Sequence, residues 1–364
     1  MNGLIIWAYN NCRSTMALYR EIQRQAPFPV RIVLTTGDSD CVSPLRSATG
    51  FRNEEFSELE LFPIHNDYNA GVKMMNECQG FAHLFCAYQL SLLQQLLMKE
   101  AHRRSECVFA AGEAPCNMFS GLKWLVKEIY LRFVLRWRLR ELVAISEKFI
   151  CFSGDAYRLA LYAGWPKDRI VSFGYFPPPI EGSRCLVRES NKAFHVLATG
   201  VLSKYRGADI LVDALRILKE RGIEYNATIT QKGELLQRIK KTVDKYNLPV
   251  ALPGFVSLPE LIKLYENCSV YVGAGRSEPW GMRLNDALNC GAPLIVSSGM
   301  GGRKIVDETG CGLVFDSGNS IDLADKLETF AKNIDCYRGC AERVNYAAEC
   351  FSPQNMASVI LKEL

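Results

Sequence analysis

The chain has 364 residues, 48% hydrophobic and 23% charged, which allows two domains with cores of their own and excludes disorder or a fibrous repeat. A formal net charge of +4 is too small for this length to indicate a nucleic-acid partner, and the 14 cysteines include no CxxC pair and no histidine at metal-ligand spacing. Scattered cysteines, an N-terminus without a basic n-region or cleavage site, and no run approaching ~18 apolar residues lead to the expectation of a cytoplasmic protein, soluble or lying on a membrane surface.

The apolar run GLIIWAY (3–9) and an amphipathic segment at 14–25 predict a buried strand feeding a helix, and VRIVLTT (30–36) is the next strand. Asp38, Ser39 and Asp40 behind it have the composition of a polar turn. FAHLFCAY (81–88), QLSLLQQLLMKEAHRR (89–104) and ECVFAAG (106–112) read as strand, helix, strand, and KFICFSG (148–154) and RIVSFGY (169–175) complete the half. His65 and His83 fall on apolar strands and are expected in the core or at an edge.

Within that half, GLKWLVKEIYLRFVLRWRLREL (121–142) interleaves Trp124, Tyr130, Phe133 and Trp137 with Lys123, Lys127, Arg132, Arg136, Arg138 and Arg140. Two readings are open. One is an interfacial helix whose aromatic residues enter the headgroup boundary while its cations meet anionic lipid. The other is a core helix with snorkelling arginines on its outer side. No module for nucleic-acid binding accompanies it.

Three prolines and a polar run at 176–192 interrupt the alternation, which divides the chain into 1–178, a linker at 179–192, 193–345 and a C-terminal helix at 346–364. The second alternation runs through AFHVLAT (193–199), a helix at 207–221, YNATIT (225–230), helices at 234–246 and 258–268, SVYVG (269–273), a helix at 282–290 and PLIVS (293–297). Ile210, Leu211, Ala214, Leu215 and Leu218 form one helical stripe. Both halves are doubly wound α/β domains, and ligands of such sheets bind outside the carboxyl ends of the strands.

In LATGVLSKYRGADIL (197–211) a strand ends at Gly200 and a helix begins near Gly207. Lys204 and Arg206 lie between, either as phosphate ligands at a helix start or as solvated loop charges. In SEPWGMRLNDALNCGAPLIVS (277–297), Glu278 precedes a Pro-Trp-Gly turn, a helix opens near Met282, and Asp286 lies one turn inside. The first amides of that helix, at Gly281, Met282 and Arg283, have no acceptor within it and suit an anion, while the flanking carboxylates suit hydroxyl groups.

From about 194 to 330, and less sharply over the N-terminal half, the chain resembles glycosyltransferase family 4. The hallmark of that family is Glu, seven residues, Glu, then a Cys-Gly-x-Pro stretch. LPGFVSLPELIKLYENCSVYVGAGRSE (252–278) matches as well. The resemblance implies a GT-B fold, two Rossmann-like domains facing across a cleft with the C-terminal helix returning to the N-terminal, acceptor-side domain. It implies that Glu278 holds hydroxyls of a donor sugar, that Asp286 holds the nucleotide ribose in the place of a glutamate, and that Arg206 neutralises a leaving diphosphate. Gly200, Phe255 and Val256 fall in its donor-binding segments. A basic residue usually follows the glycine at 200; here it is Val201, and Lys204 is the substitute the sequence suggests. YNNCRSTM (9–16) stands where many members have a glycine-rich loop, with Asn11 and Arg13 as acceptor or phosphate contacts, and Glu113 or Gly112 takes the position of a histidine facing the reacting carbon. Glu113 is alternatively a surface residue before a proline turn. SSGMGGRK (297–304) corresponds to the loop after the donor helix.

The implied activity is a retaining, metal-independent transfer of one sugar from a nucleotide sugar, UDP or GDP being open, with no further cofactor. The acceptor is a hydroxyl of a glycan or lipid-linked saccharide in bacterial lipopolysaccharide, O-antigen or capsule assembly, at the inner face of the membrane. The alternative is a non-catalytic GT-B partner subunit that binds nucleotide or glycan; phosphorylase and epimerase chemistry are further options on the same fold.

Overall fold

The computed structural model describes residues 1–9, 13–36, 56–86, 91–112, 126, 129–152, 154–180 and 193–364, with 154–155 and 334–340 described by backbone alone. The chain divides into two compact units, one built from residues up to Pro178 together with Ser352–Leu364, the other from Pro179–Phe351. The turn triplet at 38–40 and most of the proline-rich break, 181–192, lie outside the described residues.

In the first unit the order is β1 (Leu4–Ala8), α1 (Arg13–Gln25), β2 (Val30–Leu34), β3 (Leu61–Pro63), α2 (Tyr68–Glu77), β4 (Ala82–Phe85), α3 (Leu92–Arg103) and β5 (Val108–Gly112). A π-helical turn, Tyr130–Leu135, then runs into α4 (Arg136–Ile145), followed by β6 (Phe149–Cys151), α5 (Gly154–Ala163) and β7 (Ile170–Ser172). The seven strands are parallel in the order β3-β2-β1-β4-β5-β6-β7. Helices on both faces leave the central strands without a solvent side, so all five residues of β1 are buried, as an unbroken apolar run requires.

His83 is a core residue. Trp7 Nε1 donates to its Nδ1 at 3.1 Å, and its Nε2 meets Glu106 Oε2 at 2.9 Å. Both ring nitrogens are thus engaged in a layer where Trp7 stacks on Phe85 with centroids 5.5 Å apart. His65 is not on a strand. It is exposed in the turn after β3 with φ 46°, because Pro63 closes that edge strand and brings no amide to extend the ladder.

The second unit repeats the winding. It contains β8 (His195–Ala198), α6 (Ala208–Glu220), β9 (Asn226–Thr230), α7 (Leu236–Tyr246), β10 (Val250–Gly254), α8 (Leu258–Asn267), β11 (Val270–Gly273), α9 (Arg283–Asn289), β12 (Leu294–Ser297), α10 (Arg303–Thr309), β13 (Gly312–Phe315), α11 (Ser320–Lys332) and α12 (Ile334–Cys350). The parallel order β10-β9-β8-β11-β12-β13 reverses between β8 and β11. All five stripe residues of α6 are buried, in one core with Val270, Val272 and Ile295. A capping box, Ser257 with Glu260, starts α8.

Helix α12 spans position 345 unbroken and stays with the second unit. The chain leaves it at Ser352, and α13 (Pro353–Glu363) packs on α1 in the first unit, burying Met356, Ala357 and Ile360 completely. Gln25 Nε2 donates to the Gln354 carbonyl at 3.0 Å and Ser358 Oγ to Gln25 Oε1 at 2.7 Å.

Candidate functional site

In an open parallel sheet, neighbouring strands whose connections run to opposite sides leave a crevice at their carboxyl ends. In the second unit those strands are β8 and β11, and a cavity lies there, lined by residues 198–202 behind β8 and 271–275 along and behind β11. Two loops wall it, and backbone and side-chain bonds pin both. The Arg276 amide donates to the Tyr205 carbonyl at 3.0 Å, and its guanidinium grips both oxygens of Asp209 at 2.7 and 2.9 Å, tying the loop after β11 to the start of α6. Burial pushes the Asp209 carboxyl up, but the Arg276 hydrogen bonds and charge outweigh it and hold the group below the usual carboxylate range.

The same loop is stitched to the one after β12. Glu278 donates its amide to the Gly299 carbonyl at 3.1 Å, and the Gly301 amide returns to the Glu278 carbonyl at 2.8 Å. Two glycines allow this closeness. Gly207, with φ 70° at the start of α6, sits so near β11 that a Cβ would lie 1.8 Å from the Ala274 carbonyl oxygen. Gly281, with φ 97°, would put a Cβ 2.4 Å from Met300 Cε.

Within the cavity lining the structure brings together Gly200, Arg206, Glu278, Gly281 and Arg283. Glu278 is only 8% exposed and forms an ion pair with Arg206, so these two charges neutralise each other. Arg283 opens α9 and crosses in front of Gly200, its Nε 3.7 Å from where a Cβ there would stand. Burial disfavours its charge, yet Tyr265, Tyr271, Asp286 and Glu278 around it raise its pKa on balance. Met282 lies beside the cavity with its side chain exposed, and Leu284 and Asn285 donate the first backbone bonds of that turn, to Gly281 and Met282.

The structure places other expected residues elsewhere. Lys204 is exposed on the turn before α6 and is not part of the lining. Its amide donates to Glu234 Oε1 at 3.1 Å and its carbonyl accepts from Arg276. Phe255, 59% exposed, and Val256 follow β10, an edge strand two places removed from β8, and do not line the cavity either. Asp286 is half-buried one turn into α9, outside the lining, whereas Val201 belongs to it. Arg13 begins α1 of the first unit and is half-buried; Asn11 and Glu113 lie outside the described residues.

Two lining residues, Thr199 and Tyr271, and Tyr265 bonded to them escaped the sequence reading. The hydroxyls of Tyr265 and Tyr271 converge on Thr199 Oγ1 at 3.0 and 3.1 Å. Burial raises the pKa of both phenols, which keeps them neutral. Tyr271 looked like one more apolar strand residue in SVYVG, and no local spacing signals a cluster assembled across 72 residues.

In the first unit, Leu131, Leu139, Leu142 and Val143 turn one face of the π-turn and α4 into the core. The other face leaves Val126, Ile129, Tyr130, Phe133, Val134 and Trp137 exposed, with Phe133 at 70% and Trp137 at 66%. Arg136 and Arg138 are exposed beside them, Arg138 bonding Tyr130 Oη at 3.1 Å. Arg132 instead lies over the Tyr162 ring, 5.0 Å from its centroid. The segment thus packs as a core helix, and its outer face is apolar and aromatic among arginines. Lys123, Trp124 and Lys127 lie outside the described residues. Among the described residues no helix is long and apolar enough to cross a membrane.

Residues 187–347 match the family model described as glycosyl transferases group 1. An uncharacterized glycosyltransferase of Methanocaldococcus jannaschii is 29% identical over 157 residues, 43% of each chain. The D-inositol 3-phosphate glycosyltransferase of Paenarthrobacter aurescens is 25% identical over 222 residues, 57% of this chain and 54% of its own length. The chain thus spans about half the length of the curated relatives it matches. Among solved structures, HepE of Anabaena in complex with UDP aligns over 100% of both chains with a TM-score of 0.69 at 13% identity. The lipopolysaccharide outer core galactosyltransferase WaaB aligns over 100% of both with a TM-score of 0.66 at 15% identity. The two parallel-sheet, Rossmann-like halves of this chain accordingly have the GT-B fold of these glycosyltransferases.

Proposed function

We propose that the protein is a retaining, metal-independent hexosyltransferase of family 4 that moves a sugar from a nucleotide sugar to a hydroxyl of a glycan or lipid-linked saccharide. The observation that carries this reading is the cavity at the β8/β11 switch point, where Arg206, Glu278 and the opening turn of α9 meet in the segment that matches the family model. In this reading the amides at Gly281, Met282 and Arg283 and the Arg206 guanidinium receive the diphosphate, Glu278 accepts hydrogen bonds from the donor sugar, and Asp286 reaches the ribose. Donor binding then divides the Arg206–Glu278 pair, each partner exchanging the other for a ligand group. Catalysis consists of orienting the reactants and stabilising the departing diphosphate, which takes the acceptor proton on the face it leaves.

The HepE structures hold UDP, glucose and UDP-glucose, which makes UDP-sugars the first donors to test, before GDP- and ADP-sugars. The exposed apolar face of the π-turn and α4 supports a peripheral site on an anionic, cytoplasmic membrane face, and WaaB and the putative colanic acid glycosyltransferase WcaL of Escherichia coli support a surface-polysaccharide acceptor. The decisive measurement combines thermal shift with donor turnover. One nucleotide-sugar series stabilises the protein selectively, and Glu278→Gln lowers turnover by about 100-fold or more while nucleotide still binds. Equal, negligible turnover in wild type and variant, with nucleotide bound, would instead identify a non-catalytic binding subunit.

A further inference from the structure

Four side chains bearing ionisable groups line the cavity: Arg206, Glu278, Arg283 and Tyr271. Arg206 and Glu278 form an ion pair and cancel each other. Tyr271 is neutral, its phenol raised by burial and its hydroxyl engaged with Thr199. Arg283 remains. Among the described residues its guanidinium makes no hydrogen bond and no ion pair, although it stands inside the lining and presents five N–H donors.

Arg283 is half-buried in the lining, so N–H donors that no protein group accepts from are open to a ligand in the cavity. The surroundings hold Arg283 in place, and the nearby Asp286 and Glu278 favour its charge, without accepting a hydrogen bond from it. Its side chain lies across Gly200, where a Cβ would stand 3.7 Å from Nε and 4.0 Å from Cζ. The Tyr265 and Tyr271 hydroxyls beside it are committed to Thr199 Oγ1. The planar fork therefore faces the cavity at the end of β8, beside the turn that opens α9.

We infer that the Arg283 side chain is a second anion-binding cation of this cavity beside Arg206, taking a phosphate group of the bound nucleotide through its guanidinium. The inference rests on the donor-site reading above and adds a side-chain role to a residue placed there only for its amide. It also supplies the charge lacking at Val201 from a different segment of the chain, and it removes Lys204, exposed outside the lining, from that role.

Isothermal titration of the full chain with inorganic pyrophosphate, UDP, GDP, uridine and guanosine tests it, comparing wild type with Arg283→Met, Arg283→Lys and Lys204→Ala. The expected result is a loss of about tenfold or more in pyrophosphate and nucleoside diphosphate affinity in Arg283→Met, with the nucleosides changed less than about twofold. Arg283→Lys falls between, because a point charge replaces a bidentate fork, and Lys204→Ala stays within about twofold of wild type throughout. Should Arg283→Met not fold, Arg283→Gln carries the same comparison. Unchanged diphosphate affinity in Arg283→Met overturns the inference and leaves the donor-site reading standing. Pyrophosphate binding that depends on Arg283, without binding of UDP or GDP, upholds Arg283 as an anion-binding cation but overturns its assignment to a nucleotide phosphate together with the donor-site reading. A wild type that binds none of the anions overturns both.

Discussion

At the scale of single residues, the site owes its shape to pairs that bridge loops. Arg276 holds Asp209 with two hydrogen bonds, and the Asp209 side chain is only 13% exposed, so the pair is worth about 1–3 kcal/mol. The Asp209 pKa is lowered on folding, so the native state favours the ionised form. Its contribution is full above the ordinary aspartate value of about 3.8 and is lost as pH falls through the lower folded value. Urea denaturation of Asp209→Asn is expected to show a constant deficit from pH 5 to 8 that shrinks below about pH 4; a deficit that persists into acid would contradict the linkage. Glu278, Arg206 and Gly281 were legible because they lie inside two contiguous motifs. Thr199, Tyr265 and Tyr271 were not, since their common feature is a meeting point in space. The same limit applied to the missing cation: Lys204 was the nearest charge along the chain, whereas Arg283 is the one the fold turns toward Gly200.

At the scale of elements, close approach decides what the sequence tolerates. Gly207→Ala would combine a left-handed backbone with a Cβ that overlaps the Ala274 carbonyl, and about 3 kcal/mol or more of destabilisation is expected, measured as a shift of the urea midpoint. Nucleotide affinity should fall with it, because α6 cannot stay at that distance from β11. On the first unit, Phe133→Ser combined with Trp137→Ser removes the two most exposed aromatic side chains of the π-turn and α4. Sedimentation with phosphatidylglycerol vesicles is expected to drop by about tenfold or more while far-ultraviolet circular dichroism is unchanged. Retained binding would return the segment to an ordinary core helix. Elements with long apolar runs or a full helical stripe, β1 and α6 among them, could be read directly. Strand β3 could not, being a three-residue edge closed by Pro63, and β10 alternates half-buried and exposed positions through Pro253, a weak signal in either period.

At the scale of the whole molecule, the described chain passes into the second unit after Pro178 and returns at Ser352, and that return gives the first unit its last helix. Met356 and Ile360 of α13 are fully buried, each contributing about 1.5–3 kcal/mol of apolar burial, and Lys148 Nζ meets Glu363 Oε2 at 2.6 Å. Removing residues 352–364 is therefore expected to lower the calorimetric transition of the first unit by several degrees or more and to leave that of the second in place. A uniform loss across both transitions would show that the units do not melt independently. The sequence by itself determined that there are two parallel α/β halves and which two loops carry Arg206 and Glu278, because strand and helix periodicity and turn chemistry are local properties of the chain. Only the tertiary structure decided that the cavity charge of Arg206 is already met by Glu278, that Arg283 is left facing the cavity, and that α13 belongs with α1. Those are distances between segments remote in the chain, set by sheet order and helix packing, and no spacing along a single sequence encodes them.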